Sequence, residues 1–128
     1  MSNVEIILKM YKAFFEKDEQ TLNSICHPNI KWIQNPGFPG GGISTGVKEI
    51  ISNVFVGNNS RWDYFSFQRD NIFSCNEKVV VEGHYKVRAK KEGETIDVQA
   101  CHVYEVYENL ITSFQQYTDT KTLWDQLK

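Results

Sequence analysis

The segment HVYEVYENLITSFQQYTDTKTLW, residues 102–124, contains the clearest fold signal in this chain. Apolar and polar residues alternate on both sides of the short break YEN, which is typical of two antiparallel strands joined by a tight turn. The second strand then contains Gln115 and Gln116, although Phe114 predicts that one of its faces points inward. Because an unpaired buried amide costs about 1–3 kcal/mol, a glutamine on that face needs a polar partner.

Strand patterns extend over the whole second half of the chain. They are RWDYFSFQRD (61–70), KVVVEGHYKVRAK (78–90), IDVQACHVYEVY (96–107) and LITSFQQYT (110–118). The breaks between them are short, as in antiparallel hairpins. We therefore expect a meander of about four strands.

Two amphipathic helices are predicted at the start of the chain. Ser2 and Glu5 form a capping box for the first helix. Its apolar residues recur at helical spacing: Val4, Ile7, Leu8, Tyr11, Phe14 and Phe15. Asp18 is placed to cap a second helix, which is expected to include Cys26 and to stop at Pro28.

The middle of the chain predicts a strand, a loop and a third helix. NIKWI (29–33) is expected to be a short strand, and NPGFPGGGISTG (35–46) is rich in proline and glycine and predicts a loop. Its PGGG part is expected to form a mobile flap over a pocket. The third helix should end at Gly57, and a last short helix should follow Asp119, which is either its N-cap or a catalytic base.

This order of elements predicts an α+β fold. Helices near the N-terminus should cover one face of a curved antiparallel sheet, and residues 1–128 should form one domain. Alternation places Tyr85, His102, Tyr104 and Gln116 on the inward face, with Tyr11 reaching them from the first helix. Side chains with polar tips are unusual in a solid core, so we expect one internal pocket.

The composition excludes several classes of protein. Of 128 residues, 41% are hydrophobic and the net charge is −2, which argues against disorder and against binding to nucleic acid or anionic membranes. No apolar run approaches ~18 residues, so no membrane span is expected. Three scattered cysteines indicate a reduced, cytoplasmic protein. No histidines or cysteines have ligand spacing, so neither a metal nor another cofactor is expected.

Three segments together resemble a known family. They are MYKAFFEKDEQTLNSICHPNIKW (10–32), NPGFPGGGISTGVKEI (35–50) and the segment 102–124. In order and spacing they are similar to the SnoaL-like, ketosteroid isomerase-related branch of the nuclear transport factor 2-like superfamily. The resemblance implies a cone-shaped roll with a pocket at its open end, and commonly a homodimer through the outer face of the sheet.

The resemblance also implies positions for site residues. Tyr11 matches the oxyanion tyrosine of ketosteroid isomerases, and His102 falls at the position of their protonated aspartate. Their base position falls at Gln34 or Asn35, and neither side chain takes up a proton at neutral pH. Gln116 matches the water-activating aspartate of limonene epoxide hydrolases.

The Asp-Arg pair of limonene epoxide hydrolases falls near Tyr85 and Gly83. The carboxylates that drive both reactions are therefore absent from the matching positions of this chain.

Our first hypothesis is a protein with a pocket for a small apolar molecule. As an isomerase, cyclase or hydrolase it would use His102 to move a proton, with Tyr11 and Gln116 orienting a carbonyl or a water. The predicted ligand contacts are Trp32, Gln34, Asn35, Trp62, Tyr85 and Tyr104.

Two alternatives remain open at this stage. The chain can be a non-catalytic binding or dimerisation module, in which His102 is a core histidine bonded to a tyrosine. It can also recognise a protein through the outer sheet face, which has Cys101, Val103 and Tyr107 on it.

Overall fold

The computed structural model describes residues 1–128 and places helices against one face of a six-stranded sheet. The helical elements are α1 (Asn3–Phe15), α2 (Glu19–Ile25), α3 (Val47–Ile50), a π-helical segment (Ile51–Val56), α4 (Gly57–Arg61) and α5 (Thr120–Gln126). The strands are β1 (Cys26–Ile33), β2 (Ile43–Thr45), β3 (Tyr64–Cys75), β4 (Lys78–Arg88), β5 (Ile96–Tyr107) and β6 (Leu110–Thr118). None of the helices is long and apolar enough to cross a membrane.

The strand order in the sheet is β2-β1-β6-β5-β4-β3. Strands β3 to β6 form the predicted antiparallel meander, and β2 pairs antiparallel with β1. Strand β1 joins the meander by pairing in parallel with β6. The β5–β6 turn is a tight one, because Glu108 and Asn109 both adopt left-handed φ angles of 50° and 67°. The α+β fold predicted from the sequence is confirmed.

Alternation along the strands predicted the inner face correctly. Tyr85, His102, Tyr104 and Gln116 are all buried, and His102 lies opposite Gln116 in the β5–β6 ladder. Ile111 is buried too, although simple alternation puts it on the other face from Gln116. An irregularity in the β5–β6 register next to Val106 restores Ile111 to the inner face.

The buried residues form two clusters under one sheet. The larger cluster packs α1, α2 and the third helical region against β1 and the middle of the sheet. The smaller cluster lies at the other end of the inner face and contains Phe38, Trp62, Tyr85, Val87, Val98, Ala100 and Leu123. Its Phe38 comes from the loop after β1, and its Leu123 comes from α5.

The start of β1 differs from the sequence-based expectation. Helix α2 ends at Ile25, so Cys26 opens a strand and is not part of the helix. Pro28 therefore lies within β1 and does not mark the helix end. It is tolerated there because pairing with β6 is interrupted between Cys26 and Lys31, so its missing N–H breaks no ladder bond.

Two further segments were assigned wrongly from the sequence. Residues 43–45 form strand β2 on β1, where a continuous loop was expected. The third helical region does not end at Gly57 but continues to Arg61. Gly57 has helical angles of φ −60° and ψ −46°, so the π-helical segment continues directly into α4.

Candidate functional site

A cavity of about 190 Å³ lies between the helices and the inner face of the sheet. Its wall is formed by Tyr11, Phe14, Trp32, Gln34, Val54, Phe55, Asn58, Asn59, Phe65, Ser66, Phe67, Tyr85, His102, Tyr104, Phe114 and Gln116. An engineered cavity of about 150 Å³ in another protein holds benzene, so this one has room for one ring with a small substituent. Exposed Asn59 and half-buried Ser66 place its opening between α4 and β3.

His102 lies at the centre of a hydrogen-bonded network on this wall. Its Nδ1 is 2.8 Å from the hydroxyl of Tyr11, and its Nε2 is 2.7 Å from the hydroxyl of Tyr85. Tyr11 comes from α1, whereas Tyr85 comes from β4, the strand next to that of His102. The imidazole therefore links a helix to the sheet through both of its ring nitrogens.

Two more side chains extend the network at its ends. The Tyr104 hydroxyl donates to the Tyr11 hydroxyl at 2.9 Å, and the Gln116 Nε2 donates to the Tyr85 hydroxyl at 2.7 Å. The Gln116 Oε1 accepts from the backbone N–H of Asn35 at 3.0 Å. Both ends of the buried amide thus have partners, which removes the cost of placing a glutamine in the interior.

All groups that line the cavity are uncharged at neutral pH. Burial lowers the pKa of His102 to about 3, so its imidazole is neutral. Burial also raises the pKa values of Tyr11, Tyr85 and Tyr104, so all three phenols keep their protons. No carboxylate lines the cavity. The guanidinium of Arg69 lies 5.0 Å from the Tyr11 ring centroid, but Arg69 is not part of the cavity wall.

The missing side chain of Gly83 makes room for an aromatic stack on His102. The Phe67 ring lies over the imidazole with centroids 4.1 Å apart and planes 25° apart. A Cβ added at Gly83 would lie 2.9 Å from the Phe67 ring and would collide with the carbonyl oxygen of Gln68. A glycine inside a strand often marks such a close approach, and this signal was present in the sequence.

The structure brings most of the sequence-predicted site residues together. Catalytic candidates His102, Tyr11 and Gln116 share one network, and ligand-contact candidates Tyr85 and Tyr104 belong to it. Trp32 and Gln34 also line the cavity, and the indole N–H of buried Trp32 has no partner. Sequence analysis missed the part of the wall formed by the π-helical segment and α4, including Phe55, Asn58 and Asn59, because only the tertiary packing brings that segment to β3.

Two predicted ligand contacts lie away from the cavity wall. Trp62 packs into the smaller cluster and is 4% exposed. The side chain of Asn35 accepts from the backbone N–H of Thr118 at 2.9 Å and donates to the backbone oxygen of Pro36 at 3.2 Å. Of the two neighbours that the sequence could not separate, Gln34 is therefore the one that faces the cavity.

Phe38 of the glycine-rich segment packs inward, into the smaller cluster. Phe38 is 3% exposed and contacts Phe65 and Tyr85 with ring centroids 6.2 and 6.3 Å away. The indole N–H of Trp124 on α5 donates to the backbone oxygen of Gly37. Gly40, Gly41 and Gly42, which follow, are exposed, and a flap formed by PGGG stays a prediction.

Other candidate groups are accounted for by local structure. Exposed Asp119 caps α5, accepting from the backbone N–H of Thr122 at 3.1 Å and from its hydroxyl at 2.6 Å. These bonds hold the pKa of Asp119 below its ordinary value. His84 lies 3.1 Å from Asp70, and the His27 Nδ1 accepts from the backbone N–H of Asn29. No group of three or more His, Cys, Asp or Glu side chains is placed to hold a metal ion.

A curved sheet over helices, with an internal cavity between them, is the architecture of the cone-shaped α+β rolls. The model of the SnoaL-like domain matches residues 7–114, so the chain belongs to the SnoaL-like domain family. The family suspected from the sequence is thereby confirmed. A comparison with curated protein sequences finds no match.

Solved structures share this architecture. An NTF2-like protein from Burkholderia thailandensis is 26% identical, with a TM-score of 0.90 over 100% of this chain and 98% of that one. A putative SnoaL-like polyketide cyclase from a Jannaschia species is 12% identical, with a TM-score of 0.76 over 99% and 95%. TerC, co-crystallised with polyporic acid, is 21% identical, with a TM-score of 0.85 over 98% and 97%.

Proposed function

We propose that this protein binds a small, uncharged, mainly apolar molecule in the cavity beside His102. The observation that supports this most is the chemistry of the wall, which is largely aromatic and contains no charged group. A charged ligand would lose its hydration there without a counter-charge, whereas an apolar ring would gain by burial. The volume of about 190 Å³ favours a ligand of one ring, with larger ligands reaching out past Asn59.

Ligand contacts are assigned under this proposal to the cavity wall. Trp32, Phe55 and Phe67 would hold the apolar part of the molecule, and the network around His102 would meet its polar part. TerC, which shares this fold at 21% identity, was co-crystallised with polyporic acid, which fits the use of the fold to bind a small organic molecule. Binding without catalysis fits the absence of any carboxylate at the cavity.

Catalysis is the second candidate function. The Jannaschia neighbour described as a putative polyketide cyclase favours it, together with two phenols, Tyr11 and Tyr85, that lie at the cavity and can polarise a carbonyl. As an isomerase, cyclase or hydrolase, the protein would use His102 for proton transfer, with Tyr11 and Gln116 orienting the substrate. A neutral imidazole whose pKa is about 3 is a weak base, so the phenols would supply most of the activation.

A thermal-shift screen tests binding. We expect one-ring carbonyl compounds and hydrocarbons to raise the melting temperature, because a ligand that binds the native state alone stabilises it. Val54→Phe fills the cavity from the π-helical segment and should abolish the shift. Val56→Phe is the matched control, since Val56 lies two residues away and is 60% exposed. Equal shifts in both variants would contradict binding in this cavity.

His102→Ala separates the two candidate functions once a ligand is known. If the protein is an enzyme, turnover should be abolished in the variant even at saturating ligand. If it only binds, the variant should change affinity or stability, and neither protein should convert the ligand. Product analysis on both proteins with the same compound is the measurement.

We also propose that two copies of the chain associate through the outer face of the sheet. This face exposes Tyr107 and Tyr117 at 54% each, next to half-buried Val103. Its charges come in opposite pairs, such as Lys78 with Glu105 at 2.8 Å, so a second copy meets no excess of like charge. Sedimentation should give the mass of a dimer, and Val103→Glu should give that of a monomer. A monomer mass for the unmodified chain would refute the proposal.

A further inference from the structure

The hydrogen atoms of the His102 network can be counted. Neutral imidazole has one N–H donor and one nitrogen that accepts. Tyr104 donates to Tyr11 at one end, and Gln116 donates to Tyr85 at the other end. Tyr11 and Tyr85 each have one hydroxyl hydrogen, and the structure gives neither hydroxyl a partner beyond these contacts and His102.

One phenol hydrogen is left over in either tautomer of His102. With the proton on Nε2, Tyr85 accepts from both His102 and Gln116, and its own hydrogen has no acceptor. With the proton on Nδ1, Tyr11 accepts from both Tyr104 and His102, and its own hydrogen is the one without an acceptor. Because both phenols line the cavity, the cavity is where an acceptor for that hydrogen can be placed.

We infer that the ligand of this cavity presents a neutral hydrogen-bond acceptor, such as a ketone or aldehyde oxygen, and that the tautomer of His102 decides whether Tyr11 or Tyr85 donates to it. This rests on the proposed function and specifies its ligand class. The uncharged wall excludes a carboxylate as the natural acceptor. Because the network has one hydrogen-bond donor too many, the ligand must supply an acceptor. His102 is a positioning residue in this scheme, since it acts through the two phenols.

Ring-nitrogen NMR of the ligand-free protein tests the hydrogen count. In Tyr11→Phe, Nδ1 loses its partner, so the proton should reside on Nε2, where Tyr85 accepts it. In Tyr85→Phe, the proton should reside on Nδ1, where Tyr11 accepts it. Tyr104→Phe is the control, because it removes a network hydroxyl but leaves both contacts of His102 in place. The same protonated nitrogen in both single variants, or an imidazolium at pH 7, would overturn the inference.

Two probes of nearly equal shape test the ligand class. Acetophenone has a carbonyl oxygen, and isopropylbenzene has no acceptor. The ratio of their affinities should fall at least about fivefold in the double variant Tyr11→Phe/Tyr85→Phe, which has no surplus phenol hydrogen. The ratio should fall less in Tyr104→Phe. If a single variant fails to fold, the wild-type protein gives the test, because the carbonyl carbon resonance of bound acetophenone should move downfield when a phenol donates to its oxygen. An unmoved resonance for bound acetophenone would overturn the inference.

The outcomes separate this inference from the proposed function. If isopropylbenzene binds and the ratio is the same in the wild-type and double-variant proteins, the inference is overturned while the proposed function stands. If neither probe binds, the proposed function fails, and the assignment of its ligand fails with it.

Discussion

The two ends of the interior are built from similar strands but are filled in opposite ways. The sealed end, formed by Phe38, Trp62, Val87, Val98 and Leu123, consists of apolar and aromatic side chains that are buried, with exposures of 0–4%. The cavity end surrounds the network of Tyr11, Tyr85, His102, Tyr104 and Gln116 and leaves about 190 Å³ unfilled. Tyr85 belongs to both ends, because its ring packs in the sealed cluster and its hydroxyl joins the network.

This difference shows how a small domain can keep an internal cavity open. At the sealed end a loop and a terminal helix are folded inward, and they supply Phe38 and Leu123. At the cavity end the polar groups of the network are bonded to one another, and a single phenol hydrogen is left without an acceptor. We therefore expect packing at the sealed end to dominate the stability and the network to determine which ligands bind.

Of the variants proposed here, Phe38→Ala should lower the free energy of unfolding the most. Removing a buried phenylalanine costs about 3–5 kcal/mol of the free energy of unfolding, through lost burial and a new cavity. Phe55→Ala removes the same side chain from the half-buried wall of the existing cavity and should cost less than half as much. Denaturant unfolding of both variants measures the difference. Equal losses would show that the two ends contribute equally.

Gly83→Ala should be the next most damaging change. The added methyl group must displace both the Phe67 ring and the backbone of Gln68, which we expect to cost about 1–3 kcal/mol and to disturb the stack on His102. Gly57→Ala is the control, since the nearest group to its added methyl is the flexible end of Arg61, 3.2 Å away. That helical change should be neutral or stabilising. A neutral Gly83→Ala variant would refute the assigned role of this glycine.

Gln116→Leu tests the amide that joins the network to the loop. It leaves the backbone N–H of Asn35 without a partner and removes one of the two hydrogen bonds of the Tyr85 hydroxyl, so we expect a loss of about 1–3 kcal/mol. Gln115→Leu is the matched neighbour, because its amide bonds to one backbone oxygen and is only half-buried. Its loss should be well under 1 kcal/mol. The reverse order would contradict the assignment of the inward face.

The pH dependence of stability should report the burial of His102. Its pKa is about 3 in the folded protein and near ~6.5 when unfolded, so only the unfolded chain takes up this proton between those values. The free energy of unfolding should therefore decrease as the pH falls below ~6.5, by up to about 1.4 kcal/mol per pH unit. Denaturant melts between pH 6.5 and 5 measure this slope. His102→Gln should flatten it, and an unchanged slope would contradict a buried neutral imidazole.

The sequence predicted the parts of the fold that depend on local patterns. Period-two alternation placed His102 and Gln116 on the inner face, and the caps at Ser2, Asp18 and Asp119 all form as expected. These signals act over a few residues, so one sequence is enough to show them. The resemblance to the SnoaL-like family added the overall topology.

The parts that the sequence did not predict depend on contacts distant along the chain. Nothing local to Phe38 shows that a glycine-rich loop will fold inward, because its partners are on β3, β4 and α5. Trp62 was predicted to contact a ligand but lies in the smaller cluster. The sequence could not decide this, because an indole ring suits a pocket and a core equally well. The π-helical segment before Asn58 and Asn59 was not predicted either, because helical periodicity does not distinguish it from an ordinary helix.

Diffraction from a crystal soaked in bromobenzene tests the central claim most directly, because the anomalous signal of bromine locates the ring. The account predicts a bromine peak inside the cavity, surrounded by Phe55, Phe67 and His102, and no such peak in Val54→Phe. A crystal with no bromine in this cavity, or with bromine only at the outer sheet face, would contradict a binding site for a small apolar molecule.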